Sequence, residues 1–292
     1  MNTRFLGILV TVGLSFSAFA NAGSPFDIAS DDSLVVDNFA DGDYTSNFGK
    51  WAFANDNGDG GGSTVKTSIV DATTNIGPAK ALKLDYTLSK KKLEYSPFVE
   101  AQVALSGDGS AVDLSKCTEI RYEYYVGGPR FHYFRVMGDT NVVNVAYNYH
   151  YVTVYGNAEW QTASVKWGEL RQATGWGNRA NIEDVRKNAV GFSWQIQGND
   201  GESGSLQIAN VRCLNLPTYT VRFYRGKVLL DSAEYTKGEL PSYHGDYELG
   251  SEKYSYNIVG WKPAITEVTA NVDYQAVLDS ISLYISRGPI SD

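Results

Sequence analysis

The side chains able to do chemistry in this 292-residue chain are few apart from its 33 carboxylates: three histidines and two cysteines. His132, His150 and His244 are never three or four positions apart, so no helical metal-binding pair is present. There is no Gly-x-Ser-x-Gly nucleophile elbow. Gly58–Gly62 follows Asn55-Asp56-Asn57 without a strand-to-helix context, so it reads as a turn and not as a phosphate cradle. Glycoside hydrolysis needs only two carboxylates across a sugar, and Glu94, Glu100, Asp139 and Glu159 are available, but the spacing brings no two of them together. His132 and His150 lie inside strand-like stretches and read as structural.

The aromatic residues carry more information. Eight of the 20 tyrosines fall between Tyr122 and Tyr155. In Ala146–Val152 (AYNYHYV), a strand would place Tyr147, Tyr149 and Tyr151 on one face, because strand side chains alternate. Such a ladder is either sandwich core or a flat platform, and both readings stay open. Trp176 sits in Thr174-Gly175-Trp176-Gly177-Asn178-Arg179, a stretch poor in other apolar residues, and is expected to be exposed. Trp194 shares a strand face with Phe192 and Ile196, which draw it toward the core. Trp51 and Trp160 stand beside turns. Exposed aromatic plates flanked by Asp, Asn, Gln and Arg suit a sugar ring, which offers an apolar C–H face and a girdle of hydroxyls.

Positioning these residues requires a folded scaffold, and the composition supports one. With 43% hydrophobic and 20% charged residues the chain can bury a sizeable core. High Tyr and Gly with two Met favour strands and tight turns. The N-terminus runs from Arg4 through an apolar stretch, Phe5 to Phe19, to Ala20-Asn21-Ala22, which reads as a signal peptide over residues 1–22. The chain is then expected to be exported to the periplasm, cell surface or medium. Net charge is −8, one unit more negative without Arg4, which disfavours nucleic acid and anionic membranes as partners. In an exported chain Cys117 and Cys213 are expected to form a disulfide, the alternative being two separately buried thiols.

Residues 33–216 read as about nine short strands separated by Gly/Asp/Asn turns, among them 81–88, 98–105, 120–126, 131–137, 142–155, 161–165, 190–197 and 205–213. A short helix is expected at Ile182–Lys187 with Asn181 as its N-cap. This number of strands suggests a β-sandwich. Pro217 breaks the pattern, and residues 217–292 read as a second, small β-rich domain near the lower size limit for its own core.

From Leu34 to Leu214 the chain resembles a family 11 carbohydrate-binding module. The resemblance is carried by Val36-Asp37-Asn38-Phe39, the loop Trp51-Ala52-Phe53 before Asp56–Gly62, the strand pair Ala81–Leu88 and Phe98–Leu105, and Asp113-Leu114-Ser115 leading into Ile120–Tyr125. It continues through Ala158-Glu159-Trp160-Gln161, Leu170–Gly177, Phe192-Ser193-Trp194 and Ile208-Ala209-Asn210-Val211. It implies an all-β, galactose-binding-like jelly-roll sandwich that binds β-1,4- or mixed-linked β-glucan of the cellulose or hemicellulose type without cleaving it. Carried over by position, the ligand contacts would be Trp176, Trp194, Tyr95 and Phe53 as platforms with Arg171 and Gln172 beside them. The family's acidic cleft position falls at Asn141–Asn144, where this chain has no acid. A structural calcium is implied on Asp37, Asn38 and Asn210. Tyr219–Tyr224, Lys227–Leu230, Tyr254–Trp261 and Val268–Val277 resemble a Listeria–Bacteroides-type bacterial repeat, which implies a spacer role with Trp261 in its core. The expected partner is a polysaccharide, with other cell-surface or glucanase proteins as further candidates. Two other readings stay open: a surface adhesion or assembly protein that binds another protein, and a glucanase using an unrecognised carboxylate pair.

Overall fold

A computed structural model describes residues 26–128, 131–250 and 254–282; the candidate signal peptide, residues 1–22, lies outside them. In chain order the strands are β1 (Asp32–Asp37), β2 (Trp51–Asn55), β3 (Thr64–Thr74), β4 (Gly77–Thr87), β5 (Phe98–Ala104), β6 (Glu119–Gly127), β7 (Phe131–Gly138), β8 (His150–Tyr155) and β9 (Gln161–Lys166). A short helix α1 (Ile182–Lys187) precedes β10 (Ala189–Gln197) and β11 (Ser203–Asn215). The Asn181 side chain caps α1 by accepting from the Glu183 N–H, as the sequence predicts.

The fold is all-β. One sheet runs β3-β4-β11-β6-β9, with β1 also paired to β11, and a second runs β2-β5-β10-β7-β8. Within them the orders 4-11-6-9 and 5-10-7-8 interleave as two Greek keys, the jelly-roll arrangement, with β2 and β3 added at the edges. The two sheets enclose one apolar cluster. At its centre Trp194 has no exposed surface and packs 5.3 Å from Trp51, 5.4 Å from Tyr122 and 5.3 Å from Phe134, centroid to centroid. The Cys117–Cys213 disulfide joins the approach to β6 with β11, its Cα atoms 5.2 Å apart.

Two expectations fail locally. The segment 142–155 is not one strand: only His150–Tyr155 pairs with β7. The Asp139 and Asn144 side chains accept from backbone N–H groups two residues on, and Ala146 and Tyr147 adopt positive φ of 49° and 66°. These Asx turns compete with the ladder and break it. Tyr147, Tyr149 and Tyr151 therefore do not share one face: Tyr147 is 76% exposed, whereas Tyr149 is half-buried. In turn, Trp51–Asn55, read as loop, is a strand paired to β5, and Thr64–Thr74 forms a further edge strand.

Beyond Pro217 a third sheet is built from β12 (Thr218–Arg225), β13 (Val228–Thr236), β14 (Glu248–Gly250), β15 (Tyr254–Lys262) and β16 (Val272–Ser282) in the order 13-12-16-15-14. It has its own small core of Val221, Phe223, Tyr243, Ile258, Val268 and Tyr274. Trp261 packs edge-on to Phe223 at 4.7 Å. The third sheet touches the sandwich through ion pairs of Lys166 with Glu239 and Lys237 with Asp31.

His132 is wholly buried, with Nε2 2.8 Å from the Tyr122 hydroxyl, and burial pushes its pKa down to about 3. Its folded pKa lies below the unfolded value, so the unfolded state binds the extra proton between the two. His132 should make stability fall as pH drops from 6.5 toward 3. Denaturation midpoints across that range should show a shallower acid slope in His132→Gln, and an unchanged slope would refute the assignment.

Candidate functional site

Strand alternation gives the β2-β5-β10-β7-β8 sheet two chemically different faces. Val99, Ala101, Val103, Phe192, Trp194, Ile196, Phe134 and Val136 point into the sandwich. The opposite parity is polar and aromatic. The register aligns one cross-strand row of Ala54, Glu100, Gln195, Tyr133 and Thr153, and a second of Ala52, Gln102, Ser193, Arg135 and Tyr151. Arg171 extends the second row, since its backbone exchanges bonds of 2.8 and 3.0 Å with Tyr151. Six positions at the usual strand spacing span about 24 Å.

The floor of this face is fixed by charge. Arg135 forms an ion pair with buried Glu100, donates to the Ser193 hydroxyl at 3.0 Å and stands 5.2 Å over the Tyr149 ring. Toward β8 the aromatic rings form a continuous patch. Tyr133 meets Tyr151 edge-on at 5.2 Å and Phe131 at 5.4 Å, and Phe131 meets Tyr155, which is 69% exposed, at 6.2 Å. Burial raises the Tyr133 and Tyr149 phenols above their ordinary pKa, so both remain hydrogen-bond donors at neutral pH.

Beside the patch, two loops are stapled together. The Asn148 amide, almost wholly buried, donates to the carbonyls of Ala173 and Trp176 at 3.1 and 2.9 Å and accepts from the Ala173 N–H at 3.0 Å. The Gln172 amide donates to Asn148 and Asn178 carbonyls at 2.6 and 3.0 Å and accepts from Ala180. Trp176 is held in this way by its backbone, with its ring 53% exposed.

The residues expected to contact ligand separate accordingly. Trp176 and Arg171 are exposed, and Tyr95 is exposed with its hydroxyl on Asp59 at 2.5 Å. Trp194 is corrected to core, because Phe192 and Ile196 flank it on the buried parity. Phe53 is also corrected: it pairs with Ala101 on the inner side of β2 and packs edge-on against Tyr44. Gln172 spends its amide on the loop staple. Tyr151 belonged to the ladder whose role the sequence left open; not singled out from the sequence as site residues were Tyr133 and Arg135. Their signal was the alternation Phe131-His132-Tyr133-Phe134-Arg135-Val136, in which His132 masks the otherwise apolar parity.

The calcium residues do not fit a cation. Both Asp37 carboxylate oxygens accept hydrogen bonds, from the Phe39 N–H at 2.7 Å and the Trp51 indole at 2.6 Å. The Asn38 oxygen accepts from Ala40, and the Asn210 amide donates to Glu123. Among the described residues no group of three or more His, Cys, Asp or Glu could hold a metal ion.

No family model matches the chain. The sequence is 30% identical over 186 residues to Endoglucanase 3 of Fibrobacter succinogenes, covering 61% of this chain and 26% of that protein. The chain thus spans about a quarter of that relative's length. Among solved structures, the family 11 carbohydrate-binding module from Clostridium thermocellum in complex with a β-1,3-1,4-mixed-linked tetrasaccharide superposes with a TM-score of 0.45 at 14% identity, over 63% of this chain and 95% of the module. A family 30 carbohydrate-binding module gives 0.40 at 11% identity, over 63% and 98%.

Removing the staple should release the Trp176 loop. Asn148→Ala leaves two carbonyls and one N–H unsatisfied, at a cost of about 1–3 kcal/mol. Hydrogen exchange at residues 171–180 should accelerate more than in the core strands, and uniform acceleration would show that Asn148 stabilises the whole sandwich instead.

Proposed function

We propose that the protein binds a β-linked polysaccharide, a β-1,4- or mixed-linked glucan of the cellulose or hemicellulose type, along the outer face of the β2-β5-β10-β7-β8 sheet. The observation that carries this is the pair of cross-strand rows: amide, hydroxyl and guanidinium groups form a largely buried floor, and half-exposed rings with exposed Tyr155 stand at one end, with Trp176 on the adjoining loop. Rings meet the C–H faces of sugars and the polar floor meets their hydroxyls. The stretch of similarity to an endoglucanase and the resemblance to family 11 modules support the same ligand class.

Binding without cleavage fits the floor. Glu100 is its one carboxylate in the two rows, and its pairing with Arg135 occupies it, whereas a glycosidase sets two carboxylates across the bond. Glu94 and Glu159 are exposed, and Asp139 is engaged in its own Asx turn. Export fits the N-terminal apolar segment. Residues 217–292 then space the sandwich or dock it on other cell-surface or glucanase proteins.

Affinity gel electrophoresis against soluble β-glucans tests this. The protein should be retarded, and both Trp176→Ala and Tyr133→Ala should weaken retardation by about ten-fold in affinity, the loss of one stacked ring. No retardation on any glucan, xylan or mannan would refute the function, full retention by both variants would refute the site, and release of reducing sugar would replace binding with hydrolysis.

A further inference from the structure

The ligand face carries two guanidinium groups in one cross-strand row, and only one of them is neutralised. Arg135 is paired with Glu100. Arg171, at the exposed end of the row, lies 5.6 Å from the centre of the Tyr151 ring, and among the described residues no carboxylate pairs with it. Its charge is felt at the face, where it lowers the Tyr133 pKa against the stronger effect of burial. Arg179, on the stapled loop with Trp176, also has no carboxylate partner among the described residues; its Nη1 reaches only the Gln172 carbonyl at 3.5 Å. What sets Arg171 and Arg179 apart is their place: both stand beside the ring-bearing end of the face, Arg171 in its second cross-strand row and Arg179 on the loop of Trp176. Sugar hydroxyls are served by a neutral amide such as that of half-buried Gln102. A planar, permanently charged fork matches a carboxylate, to which it can donate two parallel hydrogen bonds.

We propose that Arg171 receives a carboxylate of the bound polysaccharide, so that the site prefers a β-linked chain bearing uronic acid residues over the same chain in neutral form. This rests on the polysaccharide reading above and adds a chemical selection to it. The rest of the protein, being acidic, repels a polyanion, so any preference for one must arise locally at these arginines.

The test is titration calorimetry of the full chain with a soluble mixed-linked β-glucan and with the same polymer after partial oxidation of its C6 hydroxymethyl groups to carboxylates. The expected result is an affinity about ten-fold higher for the oxidised polymer at low salt, shrinking as salt is added. The ratio of the two affinities should fall to one or below in Arg171→Gln and remain above one in Arg171→Lys, which keeps the charge. A wild-type ratio of one or less, with the neutral polymer still bound, overturns the proposal and leaves the polysaccharide reading intact. A ratio unchanged by Arg171→Gln also overturns it. Failure to bind either polymer removes the polysaccharide reading and this inference with it.

Discussion

The register of β5, β10 and β7 around Trp194 is the constraint on which the rest depends. Trp194 is fully enclosed and its strand partners are Ala101 and Phe134, so it sets which parity of three neighbouring strands faces inward. A slip of one residue would exchange the faces, burying Arg135 and Gln195 without partners and exposing an aromatic core. The energetic gap between these alternatives is large, since burying an unpaired charge costs several kcal/mol. The same alternation that closes the core therefore delivers Glu100, Gln102, Ser193, Gln195, Arg135, Tyr133 and Tyr151 to one surface. The candidate ligand face is the other side of the packing solution.

What that face gains from its ion pair is placement. Pairing a nearly buried Glu100 with a nearly buried Arg135 contributes little net stability, because desolvation offsets the attraction. It does fix the guanidinium plane, which in turn orients the Ser193 hydroxyl and carries the Tyr149 ring. The polar groups of the face are then fixed in advance, which would lower the entropy lost if a ligand bound there. The Asn148 and Gln172 staples do the same for the loop that bears Trp176. The face is thus pre-organised by charge pairing at its centre and by neutral amides at its rim.

Much of the scaffold was legible in the sequence because strand periodicity is a local signal. The strands from Ala81 onward, the Asn181 cap and the break at Pro217 all appear where alternation, capping chemistry and proline geometry place them. Local signals misled where local chemistry competed with the ladder. In 142–155 the β-branched and aromatic residues alternate, yet Asp139 and Asn144 capture the backbone and turn it. The site was less legible than the fold, since parity alone does not say which side is covered by a partner sheet. Trp194 and Tyr133 both alternate within aromatic strands, and only the packing of the second sheet separates core from platform. Arg171 was named by position through the family resemblance, but its place in a row with Arg135 is a property of the paired strands.

The position of the third sheet follows from the same topology. It emerges after β11, which belongs to the sheet opposite the ligand face, across a connection of only Leu216 and Pro217. Its contacts with the sandwich fall on Asp31, next to β1, and on Lys166 at the end of β9, both on that opposite sheet. Surface ion pairs of this kind contribute little net stability, so the short proline-containing link does more than they do to set the orientation. Under the proposed function, a module attached there leaves the outer face of β7 and β8 and the Arg171 side chain free to meet a polymer. Attachment on one sheet leaves the outer face of the other uncovered by the third sheet, which is the arrangement the proposed binding face requires.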